Sequence, residues 1–498
     1  MDYTKHIEKI ESNIKELFEL VQNFSNTSYF GILDSSLYDS KIGRYSILYA
    51  LPFAVVNGHD SYTEIILFDE YNKVVKKQFI SGPPIDIFQN IYSKFNVVID
   101  KEWPITGGAI GYFGYELLHH NNKLPSIGKE KKHRARIPLL SFGFYDMVIL
   151  EDKLKNERYL ISIDFKNDKF IKSNYSIKLN YFKKCVSKSL ATNIYKERRF
   201  FNSLQNIKNI KYNKNSIKQI DKSSYYKKIN LIKRNITAGN IFQACFTYQK
   251  ELPFNTNPLL LYNILRKINP SPFAAYLDFP DFEVICCSPE RFFKKDSNNI
   301  LEARPIKGTR KRGTTPEEDR SMKLSLEKSL KDKAENIMIV DLLRNDIGKQ
   351  ALPGSVKVVD LLKIEEYANV YQLVTVIEGK GKIEDKEQSL EYLKALFPGG
   401  SMTGAPKHRA LEILNNIEDD ARGIYSGSIG YLGFNDTIDL NIVIRTVLIK
   451  NRKAYIGTGG GIVYDSTPKK ELEESDIKVD IILKAITYVE NLKRGFEK

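Results

Sequence analysis

The chain has 498 residues, 42% of them hydrophobic and 11% aromatic, which is enough for two ordinary domains or one with an extensive core and too apolar for a disordered chain. No apolar run is long enough to cross a bilayer, so a helical membrane-spanning protein is excluded. The net charge of +15 comes from lysines dispersed among Asn, Ile and Tyr rather than from one tail; it reads as biased composition that attracts acidic small molecules, and not as a nucleic-acid arm.

In chain order, Ile7, Ile10, Ile14, Leu17 and Val21 recur at helical spacing among Glu and Lys, which predicts a surface helix at the start and not a secretion signal. Strand-like runs follow at 42–56 and 62–68, then a glycine-punctuated stretch at 107–115, so residues 1–190 read as a mixed α and β domain. Residues 191–220 are Lys- and Asn-rich with weak periodicity and predict a basic linker to a second domain, 221–498. That domain opens with a helix over 223–239. Strands are predicted through Phe246, over 273–277, and up to Ser288-Pro289-Glu290. One long helix is expected over 317–347, with Pro316 in its first turn. Ile438, Leu440, Ile442 and Ile444 alternate with Asp439, Asn441, Val443 and Arg445, which puts Arg445 on the less apolar face of a strand. A further strand at 454–457 runs into Gly459-Gly460-Gly461, and a last helix begins at Thr467-Pro468. The four cysteines, Cys185, Cys245, Cys286 and Cys287, show neither metal spacing nor a disulfide framework, which fits a reducing cytoplasm.

Three features carry chemistry. In Arg304-Pro305-Ile306-Lys307-Gly308-Thr309 a lysine is crowded by Arg304, Arg310, Lys311 and Arg312; like charges favour a neutral, nucleophilic amine, although the run alone also reads as a solvated turn. Asp332 with Glu335, and Glu471 with Glu474, place carboxylates three residues apart on one helical face, where they repel unless a cation joins them or the face is simply solvated. With oxygen ligands and no nearby Cys or His, that cation would be Mg²⁺. Gly459 to Gly461 would let backbone amides approach an anion, or would form a tight turn.

The segments GNIFQACFTYQ, NPSPFAAYLDF, SPERF, RPIKGTRKRG, AENIMIVDLLRND, FPGGSMTGAPK, RGIYSGSIGY, NIVIRTV and GGGIVYDSTPKKELEE, spread over residues 223–488, resemble the chorismate-utilising enzymes. That family includes anthranilate synthase component I, aminodeoxychorismate synthase component I, isochorismate synthase and salicylate synthase. The resemblance implies a mixed α/β (α+β) fold, two facing antiparallel sheets flanked by helices, with the active site in the central cleft. It also implies roles. Gln243 stands where water-adding members carry a lysine, which points to ammonia as nucleophile. Lys307 in PIKGT, where anthranilate synthases typically read PIAGT, points to the aminodeoxychorismate branch, with Gly308 and Thr309 beside the substrate. Glu290 matches the proton donor. Glu335 and Glu474 would hold Mg²⁺ with Asp332 and Glu471 supporting through water, while Arg445, Tyr425, Gly459, Gly460, Gly461 and Lys478 would meet the second substrate carboxylate. Read without the family, Arg445 could equally be a surface charge and Tyr425 a core aromatic.

Two departures stand out. Gln372 replaces the histidine of an HLVS segment, which suits a product that keeps a non-aromatic ring, and Asp332 replaces a glutamate. No cysteine lies in a Gly-x-Cys-x-Gly context, so ammonia would come from a separate glutamine amidotransferase subunit, on the route to 4-aminobenzoate and folate. Ser35, Pro272, Phe273 and Ala274 match positions that line a tryptophan pocket in relatives. The anthranilate branch is the chief rival reading. A basic nucleic-acid-binding scaffold is the other, and the acidic pairs oppose it because they would repel phosphates.

Overall fold

The computed structural model describes residues 2–11, 14–39, 42–95, 100–121, 131, 133–166, 170–187, 207, 209–367, 370–383 and 389–496. Two large antiparallel sheets dominate it. The eleven-stranded sheet runs, neighbour to neighbour, Tyr3–Lys9, Glu157–Phe165, Met147–Asp152, Tyr45–Tyr49, Gly31–Asp34, Phe273–Phe279, Phe282–Ser288, Thr446–Lys450, Lys453–Ile462, Gln243–Pro253, Gly404–Ala405. The twelve-stranded sheet runs Ile306–Lys311, Val370–Lys380, Ile300–Ala303, Arg291–Lys295, Ile438–Asn441, Ser428–Gly433, Gly108–Phe113, Leu140–Tyr145, Ala54–Gly58, Tyr62–Phe68, Val74–Ser81, with Lys357–Glu366 added against Val370–Lys380.

The sheets face each other, and helices cover their outer faces. Along Phe273–Phe279, Ala275 and Leu277 turn inward to meet Val55, Tyr112 and Ile429 of the other sheet, while Ala274 and Tyr276 turn outward to the helices Pro258–Ile268 and Pro468–Phe496. Burial on both faces explains why this strand is nearly continuous in apolar residues. On the far side, the helices Pro84–Tyr92, Leu330–Gly348 and Leu390–Leu396 pack on the twelve-stranded sheet through Phe88, Leu343 and Leu393. No helix among the described residues is long and apolar enough to cross a membrane.

Strands from both sides of the 191–220 segment share both sheets, so their cores are continuous. Residues 191–206 and 208 of that segment lie outside the described residues; of the rest, Ile207 and Ile217 are buried, and Lys218 bridges to Glu251.

Three local expectations are corrected. The start of the chain is an edge strand, Tyr3–Lys9, followed by a 3₁₀ helix, Leu17–Phe24; ladder pairing with Glu157–Phe165 overrides the helical spacing. The long helix is two helices, Pro316–Glu327 and Leu330–Gly348, because Ser329 leaves the helix and accepts the Asp332 amide as an N-cap. Arg445 lies not on a strand but at a break, with φ of 51°.

That break is one of a pair. Between Phe282–Ser288 and Arg291–Lys295 the chain passes from the eleven-stranded to the twelve-stranded sheet through Pro289 and Glu290, and between Ile438–Asn441 and Thr446–Lys450 it passes back through Ile442 to Arg445. The two crossings run side by side: Ile442 N–H donates to Glu290 C=O at 2.9 Å, Cys287 N–H to Arg445 C=O at 3.2 Å, and Ser288 Oγ to Ile442 C=O at 2.5 Å.

Within the eleven-stranded sheet, Asp278 and Glu283 are direct cross-strand partners. Burial pushes both carboxyls up to about 7, and Glu283 adds to the rise at Asp278. Unfolded carboxyls titrate near roughly 4, so the native state holds the extra protons between about 4 and 7; the stabilisation is complete below that window and is lost as pH rises through it. Glu283→Gln should therefore gain thermal stability over the wild type at roughly pH 8 but not at roughly pH 5. A difference in melting temperature that stays flat with pH would remove this pair from the account.

Candidate active site

The elements around the crossings bring most of the expected residues together. Lys307 sits on a β-bulge: Ile306 pairs with Val374 and Thr309 with Gln372, so one extra residue is accommodated at Lys307-Gly308. Gly308 has φ of 80°, and a Cβ there would lie 2.8 Å from Leu326 and 2.9 Å from Asp332, so only glycine fits. Thr309 beyond it is exposed.

Three of the four cations that crowd Lys307 in the sequence are paired with carboxylates. Arg304 binds Glu365, Arg310 binds Asp332 at 2.7 Å, and Arg312 binds Asp319 at 2.6 Å. Electrostatically, Lys307 instead faces the carboxylates Glu290, Glu335 and Glu474. The like-charge argument from the sequence is thereby overturned: arginines beside it in the chain point toward their own acids.

Glu290 is 7% exposed. Burial pushes its carboxyl up to about 7 against the opposing pull of Lys307, the Ser401 hydroxyl, the Ile306 amide and Arg445. A carboxyl balanced there can deliver a proton near neutrality.

The two acidic pairs face one another from the helices Leu330–Gly348 and Pro468–Phe496. Burial, with Asp332 and Glu474 adding repulsion, raises Glu335, and burial with Glu474 raises Glu471. At Glu474 burial also opposes ionisation, but Lys478, 2.9 Å away, outweighs it and holds the carboxyl below its ordinary value. Among the described residues no three side chains already converge as a metal cage. Arg310, 2.7 Å from Asp332, Lys478, 2.9 Å from Glu474, and Lys331, 3.8 Å from Glu335, supply the positive charge nearest the pairs.

Gly459-Gly460-Gly461 is strand, not turn, paired with Thr247, Phe246 and Cys245. On its other edge the ladder with Thr446–Lys450 ends at Val447 opposite Ile456, because that neighbour leaves for the crossing. From Gly457 on, the strand is thus paired along one edge only. The missing side chains make room: a Cβ at Gly457 would lie 2.1 Å from the Tyr425 ring, at Gly460 3.3 Å from Glu471 Oε2 and 3.5 Å from Lys478 Nζ, and at Gly461 2.5 Å from Gln243 Nε2. Gln243 is 1% exposed and its Oε1 has no hydrogen-bond partner. Arg445 makes no ion pair among the described residues, and burial lowers its guanidinium from its ordinary value.

Ser401, beside Glu290, and Cys245, which feels both Lys307 and Lys478, were not singled out from the sequence, although both lie inside quoted motif segments. Ser35, Pro272, Phe273 and Ala274 lie apart from this cluster and together line a cavity of about 250 Å³ between the sheets, with Arg44, Arg291 and Asp439 on its walls.

One family, described as chorismate binding enzyme, matches residues 57–484. "Anthranilate synthase component 1" of Acetivibrio thermocellus is 35% identical over 482 residues, 96% of this chain and 94% of that protein. "Aminodeoxychorismate synthase, chloroplastic" of Arabidopsis thaliana is 34% identical over 476 residues, 92% of this chain but 50% of that protein, so the chain spans about half its length. Among solved structures, anthranilate synthase component I from Streptococcus pneumoniae TIGR4 superposes with a TM-score of 0.67 at 25% identity, covering 90% of this chain and 94% of that one.

Gly457→Ala should force the Tyr425 ring aside and destabilise the fold by about 1–3 kcal/mol, as overpacking does. Denaturant unfolding with an unchanged midpoint would show that the contact is not tight.

Proposed function

The chain belongs to the chorismate binding enzyme family, and from that membership we propose that it aminates chorismate at C4 to give 4-amino-4-deoxychorismate. The observation that carries this reading is the facing of Lys307 and Glu290: an amine on a bulge opposite a buried carboxyl balanced near pH 7. Glu290 protonates the C4 hydroxyl, which leaves as water. Lys307 adds its amine lone pair to C2 as both ring double bonds shift, C1=C2 to C1=C6 and C5=C6 to C4=C5, and the C4–O bond breaks. Ammonia then adds at C4, both double bonds shift back, and the C2–N bond to Lys307 breaks. Glu290, now ionised, takes up the proton that the incoming nitrogen sheds.

The donor set, carboxylate oxygens alone, suits a hard divalent cation: burial and mutual repulsion raise Glu335 and Glu471, and Glu335 and Glu474 are the residues that would hold Mg²⁺, with Glu471 and Asp332 beside them. When bound, the ion would supply positive charge to a substrate carboxylate. Lys478 and Arg310 now hold Glu474 and Asp332. Arg445, the open edge of Gly459 to Gly461, and Tyr425 suit the second carboxylate. The unpartnered oxygen of Gln243 can accept a hydrogen bond, but a carboxamide cannot act as a base that activates water, which favours ammonia as co-substrate. Ammonia would come from a separate glutamine amidotransferase, in a reducing cytoplasm on the route to 4-aminobenzoate. The cavity at Ser35 and Phe273 would take tryptophan.

Because anthranilate synthase and aminodeoxychorismate synthase relatives stand at nearly equal identity, the product decides the branch. Pure protein with chorismate, ammonium and Mg²⁺ should give a product whose mass retains the enolpyruvyl group and shows no anthranilate fluorescence; strong fluorescence sinks the reading. Lys307→Ala should fold normally and lose most product formation, by roughly 100-fold or more, and near-full rate would exclude the covalent route.

A further inference from the structure

Arg422 is buried, 3% exposed, and its guanidinium satisfies all five N–H donors. Nε and Nη2 grip Glu418 as a fork at 2.9 and 2.7 Å, Nη2 also donates to Cys245 C=O at 2.8 Å, and Nη1 donates to Met402 C=O at 2.7 Å and to Ser426 Oγ at 3.2 Å. Its plane lies over the Tyr115 ring, 4.2 Å from the centroid. Its own amide and that of Gly423 donate to the buried carboxylate of Glu116 at 2.6 and 2.9 Å, and Glu418 is steadied in turn by the Thr247 amide and hydroxyl.

Besides Glu418, the acceptors belong to three separate segments, and each of these carries a group of the site. Cys245 follows Gln243 on the strand Gln243–Pro253; Met402 follows Ser401, which lies against Glu290; Ser426 follows Tyr425, whose ring lies on Gly457. None of these acceptors is itself one of the proposed reacting or binding groups, so Arg422 touches the chemistry only through its neighbours. We infer that Arg422 is the positioning residue of this site: it ties the Gln243 strand, the Ser401 turn and the Tyr425 loop to one planar cation, and thereby sets where the proton donor and the carboxylate-binding tyrosine stand relative to each other. Lysine cannot substitute, because a single ammonium has three donors and no planar fork.

The inference rests on the proposed chorismate chemistry, and the test separates the two. Arg422→Lys is compared with the wild type and with Leu160→Ala, a buried truncation at the opposite end of the eleven-stranded sheet that serves as a stability control. In folded Arg422→Lys, kcat should fall about 100-fold, the calorimetric Kd for chorismate should rise about fivefold, and the alkaline limb of the kcat profile should move to higher pH as Ser401 leaves Glu290. Leu160→Ala at comparable thermal loss should move none of the three. Values within about twofold of wild type in Arg422→Lys, or equal changes in Leu160→Ala, overturn the inference. Should Arg422→Lys not fold, Ser426→Ala removes one acceptor: a roughly fivefold fall in kcat with the same shift of the limb supports the inference, and an unchanged kcat overturns it. Wild-type protein that binds chorismate without turning it over defeats the proposed function alone, with the Kd comparison still judging Arg422; wild-type protein that does not bind chorismate defeats both.

Discussion

The paired crossing between the two sheets is the constraint from which the site follows. Two neighbouring antiparallel strands leave one sheet together, hydrogen-bond to each other in transit, and join the other sheet as neighbours again. Backbone polar groups in a buried passage must be satisfied, and here each crossing satisfies the other. The side chains in transit belong to neither sheet's ladder. Glu290 and Arg445 are therefore aimed into the space between layers rather than into a regular pleat, and the departure of Thr446–Lys450 opens the edge of the glycine strand beside them.

Charge is the second organising term. Arg304, Arg310, Arg312 and Arg291 are matched one to one or two with carboxylates, which is the condition for holding so many partly buried ions. Against that background the site is a local excess of acid, Glu290, Glu335, Glu471 and Glu474, tempered by Lys307, Lys331 and Lys478. That imbalance is the electrostatic feature on which the proposed cation site rests.

Much of this was legible in the sequence. Regular strands such as Phe273–Phe279 follow from apolar runs, and the helix Lys222–Thr237 matches the one expected over 223–239. The motif series located Lys307, Glu290, the acidic pairs and the glycine strand, and the structure does gather them. What the sequence could not show is where neighbours in the chain point: proximity along the backbone suggested that arginines repel Lys307, whereas Arg304, Arg310 and Arg312 each pair with a carboxylate of their own. Nor does alternation of apolar residues reveal a crossing, because Ile442 and Val443 bury equally well in a strand or between sheets, and only the φ of Arg445 records the difference. The two glycine readings, turn and anion cradle, could be separated only by the partner strand.

Within each sheet the strands before the 191–220 segment and those after it form two contiguous blocks that meet at one ladder, Gly31–Asp34 on Phe273–Phe279 and Gly108–Phe113 on Ser428–Gly433, so each half of the chain presents two strand edges that the other half covers. During synthesis the first half therefore carries those two edges open until the second has emerged to pair with them. Separated into two polypeptides, the halves would still hold matching edges through which to reassociate.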